Sequence, residues 1–372
     1  YDTVNVSSLF SAELPEYIDE SSGLMFWDNV LWTHNDDTDI NIYALDINDG
    51  SVTETINLEG LNVFDWEEMD QDEDYIYIGD FGNNGKGNRT DLRIWKISKS
   101  SVLNGSPEIQ KIGFHYEDQT DFSQQPANQT SFDCEAFILT EDSIYLFTKD
   151  WINAISCIYS LPKEPGDYAA QKRNCHNVEG LITGSVYLED KNLIVLCGYT
   201  ATLQPFLYLL YDFEGTDFFG GNKRYINLDL PFHQIEAIET QDGLTYYLTN
   251  EYFNHAFITI MQSLHIVSLE DYIGNWISQH LDLSENNPSS LKTEIFPNPG
   301  SEINVKIDLL NKDKLKFEFF DLSGRKVYEY ISVELERGNH SFTFDKNDIG
   351  TGTFLVRIMA GVEVFLQKII LE

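Results

Sequence analysis

Four glutamates recur at comparable places in this chain: Glu67 in Asp65-Trp66-Glu67-Glu68, Glu135 in Asp133-Cys134-Glu135-Ala136, Glu179 in Asn177-Val178-Glu179-Gly180, and Glu236 in Gln234-Ile235-Glu236-Ala237. A fifth copy, Ser21-Ser22-Gly23-Leu24, aligns with Glu179-Gly180-Leu181 and puts Ser22 in the glutamate's place. Carboxylates brought to one axis repel unless a cation or protons offset them. A ring of hard oxygens suits Ca²⁺, which takes roughly 6–8 oxygen ligands in irregular geometry. The expectation is a structural calcium held by Ser22, Glu67, Glu135, Glu179 and Glu236. The alternatives are glutamates that accept backbone N–H groups, or that face a water-filled tunnel.

A second constellation follows the second strand of each copy. It reads Thr33-His34-Asn35-Asp36-Asp37, Gly79-Asp80-Phe81-Gly82-Asn83-Asn84, Thr148-Lys149-Asp150-Trp151, Gly198-Tyr199-Thr200 and Thr249-Asn250-Glu251-Tyr252. Loops gathered at one end of a rigid scaffold are where sites form. Asp36, Asp80 and Glu251 are candidate bases, and Lys149 or Arg89 a cation for phosphate or carboxylate. His34, Asn35 and Asn83 could bind a ligand between aromatic walls, Trp151 and Tyr252. Turn formation and surface ion pairing are the plain alternatives for each residue. The run Gly82–Gly87 lacks a phosphate-loop pattern and precedes a strand, and no G-x-S-x-G or H-E-x-x-H occurs.

Positioning these groups requires a repeat of about 45 residues with four strands each, the pattern of a propeller blade. Four complete copies are legible between Gly23 and Leu228. A fifth offers Glu236–Thr240, Leu244–Asn250 and Ser263–Leu269, one strand short. The extended segment Val4–Leu14 can supply that strand and close the ring without open edges. The expected class is all-β: a five-bladed β-propeller over residues 1–280, a polar linker over 281–290 that includes Ser284–Ser290, and a β-sandwich over 291–372.

The chain has 372 residues and a formal net charge of −37, nearly all of it before residue 291. That field argues against binding nucleic acid or an anionic membrane. No apolar run reaches the ~20 residues of a membrane helix, so no membrane insertion is expected. A start at Tyr1 without Met reads as a mature or trimmed end. Cys157 and Cys175 flank Gly166 symmetrically; a hairpin there would put them opposite each other, able to form a disulfide in an oxidising compartment. Cys134 and Cys197 read as buried thiols.

The last 80 or so residues carry Phe296-Pro297-Asn298-Pro299, Phe320-Asp321-Leu322-Ser323-Gly324-Arg325-Lys326-Val327, Gly352-Thr353-Phe354-Leu355-Val356-Arg357-Ile358 and Gln367-Lys368-Ile369-Ile370-Leu371. In order and spacing they resemble the type A C-terminal sorting domain of the type IX secretion system of Bacteroidota. Phe354 stands where the family often has Tyr, and the chain ends in Glu372 rather than a basic residue. The resemblance implies recognition by the type IX machinery and delivery to the outer-membrane surface or outside of a Gram-negative cell, with the domain often cleaved afterwards. An accessory sandwich is the alternative.

The ring of serine and glutamates is similar to that of the soluble calcium-activated nucleotidases, the apyrases, five-bladed propellers with a central calcium. Three functions follow: a secreted or cell-surface propeller binding a glycan, peptide or partner; a calcium-dependent hydrolase of phosphate esters or anhydrides, apyrase-like or phytase-like; or a lactonase-type enzyme using calcium as Lewis acid.

Overall fold

The computed structural model describes residues 4–37, 39–255, 257–283, 292–309, 312–320, 325–360 and 363–371. The chain divides into two compact units, Tyr1–Gln279 and His280–Glu372.

The first unit is all-β and β-propeller-like. Its strands are β1 (Val4–Val6), β2 (Phe10–Glu13), β3 (Ser21–Trp27), β4 (Val30–Asn35), β5 (Asn41–Leu45), β6 (Val52–Asn57), β7 (Trp66–Gln71), β8 (Tyr75–Asp80), β9 (Arg93–Ser98), β10 (Ile109–Tyr116), β11 (Cys134–Leu139), β12 (Ser143–Thr148), β13 (Ile155–Pro162) and β14 (Gly166–Asn177). They continue as β15 (Leu181–Leu188), β16 (Leu193–Tyr199), β17 (Pro205–Tyr211), β18 (Asn222–Leu228), β19 (Ile235–Glu239), β20 (Thr245–Asn250), the hairpin β21 (Phe253–His255) and β22 (Ile258–Ile260), and β23 (Ser263–Ser268).

Pairing runs antiparallel within β3-β4-β5-β6, β7-β8-β9-β10, β11-β12-β13-β14, β15-β16-β17-β18 and β19-β20-β23-β2. The N-terminal segment does supply a missing strand, but it serves two sheets. Its β2 completes the last one, whereas β1 adds parallel to β18. The outer strands β10 and β14 also pair in parallel, covering two edges that would otherwise stay open. The inner strands pack beside one another in the order β3, β7, β11, β15, β19 and back to β3. Each neighbouring pair of sheets encloses its own apolar core, from Trp32 and Ile78 between the first two to Tyr43 and Leu264 where the last meets the first. Strands buried on both faces read as unbroken apolar runs, as in Leu193–Tyr199, whereas the outer β14 mostly alternates.

Every inner strand breaks register near its start: between Ser21 and Gly23, Trp66 and Met69, Cys134 and Ala136, Ile182 and Gly184, and Ile235 and Ala237. Such a bulge re-aims the extra residue. The residue after it is small in four of the five, because the next inner strand passes close. A Cβ on Gly184 would lie 2.7 Å from the Glu236 carbonyl oxygen, and one on Gly23 2.8 Å from the Met69 nitrogen.

Cys157 and Cys175 sit opposite each other on β13 and β14 and form a disulfide; Cys134 and Cys197 are buried free thiols. The helix Glu270–Leu283 occupies sequence read as polar and as the start of the linker. Ile273 and Ile277, one turn apart, bury against Leu193 and Leu269. The remainder of the expected linker, 284–290, lies outside the described residues.

The second unit packs a three-stranded sheet, β24 (Lys292–Phe296), β25 (Glu302–Leu309) and β28 (Gly338–Asp345), and a four-stranded one, β26 (Asp313–Phe320), β27 (Lys326–Leu335), β29 (Gly352–Ala360) and β30 (Glu363–Leu371). Phe317, Phe319, Phe344 and Val356 fill the space they enclose. Of the sequence motifs, Asp321–Gly324 and Glu372 lie outside the described residues.

Candidate functional site: the mouth of the strand circuit

Each inner strand starts opposite the end of its partner second strand: Ser21 faces Asn35, Trp66 faces Asp80, Cys134 faces Thr148 and Ile235 faces Asn250. The two constellations singled out in the sequence therefore share one mouth. The bulges carry Ser22, Glu67, Glu135, Thr183 and Glu236. At the ends of the second strands, Asp36, Phe81, Lys149, Tyr199 and Glu251 stand at equivalent places, Tyr199 as the last residue of β16 and the others just past their strands.

Lys149 is the centre of this arrangement. Its ammonium forms a buried ion pair with Glu135, lies 4.0 Å from a Glu236 oxygen and donates to the Tyr199 hydroxyl at 3.1 Å. The rings of Trp151 and Tyr199 pass 4.8 and 5.1 Å from it. Burial works against the lysine's charge, but Glu135 and Glu236 outweigh it and hold the ammonium well above its ordinary pKa. One ammonium cannot offset every carboxylate present. Burial pushes Glu67 up, helped by Glu135, Asp65 and Asp133. Burial likewise brings Glu236 and Glu251 to about 8 in spite of Lys149. Asp65 rises to about 7 through burial and the nearby Asp133. Charge here is balanced by one lysine and by retained protons.

The residues expected to act divide as follows. Ser22 belongs to the inner ring: its hydroxyl donates to the Glu67 carbonyl at 2.7 Å and lies 3.5 Å from that carboxylate. Glu179 does not. It is exposed, precedes β15, and has a left-handed φ of 57°. Thr183 holds the equivalent bulge and donates to the Ile235 carbonyl at 2.6 Å. The correct alignment sets Thr183-Gly184 against Ser22-Gly23; the resemblance of Glu179-Gly180 to that pair is a coincidence of composition.

Asp80 is fully buried and bound by two guanidiniums, Arg89 at 2.8 Å and Arg93 at 2.7 Å. It is no free base, and Arg89, which also donates to the Gly82 carbonyl and covers the Phe64 ring, is no free anion receptor. Asn83 ties the same loop together, donating to Asp133 and Phe132 and accepting from the Arg89 N–H. His34 is buried edge-on to Trp66, and burial lowers it to about 4. Asn35 donates to the Tyr17 carbonyl. Trp151 donates to Asp133 at 2.7 Å, which fixes its ring. Tyr252 is exposed at the rim. Burial and the neighbouring Glu20 and Glu251 push Asp36 up to about 10.

A cleft of about 590 Å³ opens beside Lys149, lined by Trp151, Leu181, Tyr199, Gln234 and Phe253 among others. The hydroxyl of its lining residue Tyr199 accepts from Lys149 and from Gln234 at 3.2 Å. The sequence reading named Trp151 as an aromatic wall and listed Tyr199, but not Leu181, Gln234 or Phe253, although a signal for the sector exists. Two residues before each bulge stand Glu20, Asp65, Asp133, Leu181 and Gln234. The fourth repeat alone is uncharged at both positions, Leu181 and Thr183, and there the cleft opens.

The ring does not fit a shared calcium. Lys149 stands between Glu135 and Glu236, and Glu179 lies elsewhere. Among the described residues, three carboxylates bring oxygens within 4.8 Å of one another only at Glu20, Asp36 and Asp37 on the rim.

No helix among the described residues is long and apolar enough to cross a membrane. No curated protein matches the chain. Among solved structures, the WD40 repeats of RRP9 are 12% identical, covering 71% of this chain and 98% of that one with a TM-score of 0.37. A chain of the mitotic checkpoint complex is 10% identical, with 72% and 96% covered and a TM-score of 0.37. An exo-beta-1,3-galactanase from Phanerochaete chrysosporium is 11% identical, with 98% and 99% covered and a TM-score of 0.39. Likenesses at this level carry no argument about activity. Residues 294–372 match the secretion system C-terminal sorting domain, which implies export by the type IX route to the cell surface or the extracellular space.

Proposed function

We propose that this is an exported five-bladed propeller whose cleft binds a neutral saccharide outside the cell, in a bacterium of the Bacteroidota type. The observation that carries the reading is the fourth sector, where Leu181 and Thr183 stand in place of the acids of the other repeats and a cleft opens. Trp151, Tyr199 and Phe253 offer aromatic faces to sugar rings, and Asn128, Thr200, Thr202 and Gln234 offer neutral polar groups beside them. Trp151 is pre-set by its bond to Asp133, which lowers the ordering cost of binding.

Phosphate substrates suit the mouth poorly. Arg89 is committed to Asp80 and Asp91, and Lys149 to Glu135 and Tyr199. The exposed Glu179 on the cleft wall adds repulsion toward anions. A lactonase-type mechanism would need a calcium at the mouth; of the five residues expected to hold it, Glu179 lies outside the ring and Glu135 is paired with Lys149.

Calorimetric titration with a panel of neutral oligosaccharides tests the reading, with ATP and para-nitrophenyl phosphate as comparison. Saccharide binding that disappears in Trp151→Ala is expected. Turnover of either phosphate compound, or saccharide binding indifferent to Trp151, would overturn it.

A further inference from the structure

Exposed apolar side chains of the first unit are unevenly placed. Apart from Leu9 and Leu103, every exposed large apolar residue described there lies on loops at the mouth, including Tyr17, Phe64, Ile152, Phe232, Tyr252 and Phe257. Contiguous apolar exposure on one face of a protein marks an interaction surface. The densest part joins the start of the first sheet to the last one. Tyr252 donates its N–H to the Asp19 carbonyl, Asp36 donates its N–H to the Glu20 carbonyl, and Asn35 reaches the Tyr17 carbonyl. The hairpin β21–β22 rises next to Tyr252 and presents Phe257, wholly exposed.

Within the same patch Glu20, Asp36 and Asp37 converge, and Glu251 adds its charge from the neighbouring sheet. Acids whose charged neighbours are all acidic, set among exposed aromatic rings, are complementary to a cation carried on an apolar chain. A second copy does not fit, because two faces of a chain with net charge −37 repel. We infer that the rim formed by Tyr17, Glu20, Asp36, Asp37, Tyr252 and Phe257 is a docking surface for a protein segment that presents an arginine or lysine between aromatic residues. The guanidinium or ammonium reaches the acids and lies against the tyrosine faces, while the flanking aromatics cover the hairpin tip. This surface is separate from the saccharide cleft: none of its six residues lines that cleft.

The probes are acetyl-Phe-Arg-Phe amide and acetyl-Phe-Glu-Phe amide, titrated into the full chain by calorimetry. The arginine peptide is expected to bind at least about tenfold more tightly than the glutamate one, and to weaken with added salt. The double variant Asp36→Asn/Asp37→Asn and the single variant Tyr252→Ala should each lose about tenfold or more, with unchanged melting confirming that they fold. Trp151→Ala, which abolishes saccharide binding on the reading above, should leave the peptide's affinity unaltered. Equal binding of the two peptides, or full binding by the rim variants, would overturn the inference. So would loss of the peptide in Trp151→Ala, which moves it into the cleft. Calcium chloride shifting the melt through Asp36 and Asp37 while the peptide fails to bind would reassign the acids to a metal.

Discussion

Two charge clusters built on buried carboxylates, one in each unit, use opposite stoichiometry. At the mouth of the first unit a single ammonium, Lys149, serves Glu135, Glu236 and their acidic neighbours. In the second unit cations outnumber acids: Lys316, Lys326 and Arg357 surround Glu318, and Glu329 pairs with the two lysines. Burial opposes ionisation at both. At Glu318 the three cations outweigh burial and bring the carboxyl down to about 2. At the mouth the lysine is outnumbered, and Glu236 and Glu251 rise to about 8. The same pair chemistry thus yields an ionised carboxylate in one place and protonated ones in the other. What decides is the ratio of charges and their access to water: Glu318's partners are partly exposed, whereas Lys149 is only 3% exposed.

The strongest way to break this comparison is Lys149→Met. It leaves acids buried without their cation and should cost the first unit about 3–5 kcal/mol in thermal or denaturant unfolding. A smaller loss would mean that protons alone hold the cluster. Asp80, buried between Arg89 and Arg93, is the intermediate, balanced case, since both arginines also pair with the exposed Asp91. Asp80→Asn should cost about 2 kcal/mol by the same measurement, because two largely covered guanidiniums lose a charge-assisted partner.

The pH dependence sharpens the contrast, because the two units should respond in opposite directions. Glu236 and Glu251 bind their protons more tightly folded than unfolded. Their contribution is complete below the ordinary glutamate range and is lost as pH rises toward about 8. Glu318 is the reverse: its contribution is present above the ordinary range and is lost as pH falls toward about 2. Calorimetric scans across pH should show the first unit's transition moving down in temperature from pH 5 to about 8, and the second unit's moving down only in acid. Parallel movement of both would contradict the assignment. Glu318→Gln should cost only about 1 kcal/mol at neutral pH, since its cations regain water. The smallest effect expected is that of calcium. Because Lys149 stands where a shared ion would sit, melts in calcium and in chelator should agree to within about 1 °C, a shift equivalent to a fraction of a kcal/mol. A large stabilisation abolished by Glu67→Gln would return the metal to the axis.

Much of this architecture was legible from local pattern. The apolar runs of β8, β12 and β16, the polar turns between strands and the recurrence of a Glu or Ser at the head of inner strands follow from short-range chemistry. So does the pairing of Cys157 with Cys175, because an antiparallel hairpin fixes which residues face each other. Glu179 was misplaced because a glutamate before a glycine looks the same in sequence whether it sits in a bulge or in the turn four residues earlier. Register alone separates the two, and register is a property of pairing. The helix at Glu270–Leu283 was missed although Ile273 and Ile277 carry its spacing, since one apolar pair gains helical meaning only against a surface that buries it.

The amino-acid order by itself determined the strands, their grouping, the acidity of the first unit and the export signal of the second, because each depends on neighbours a few residues away. Only the folded molecule decided that Lys149, distant in the chain from Glu236, is the counter-ion of the mouth, and that Arg89 and Asp80 neutralise each other rather than a ligand. Electrostatic partners are chosen by distance in space and by exclusion of water, and neither exists until the sheets have closed on one another.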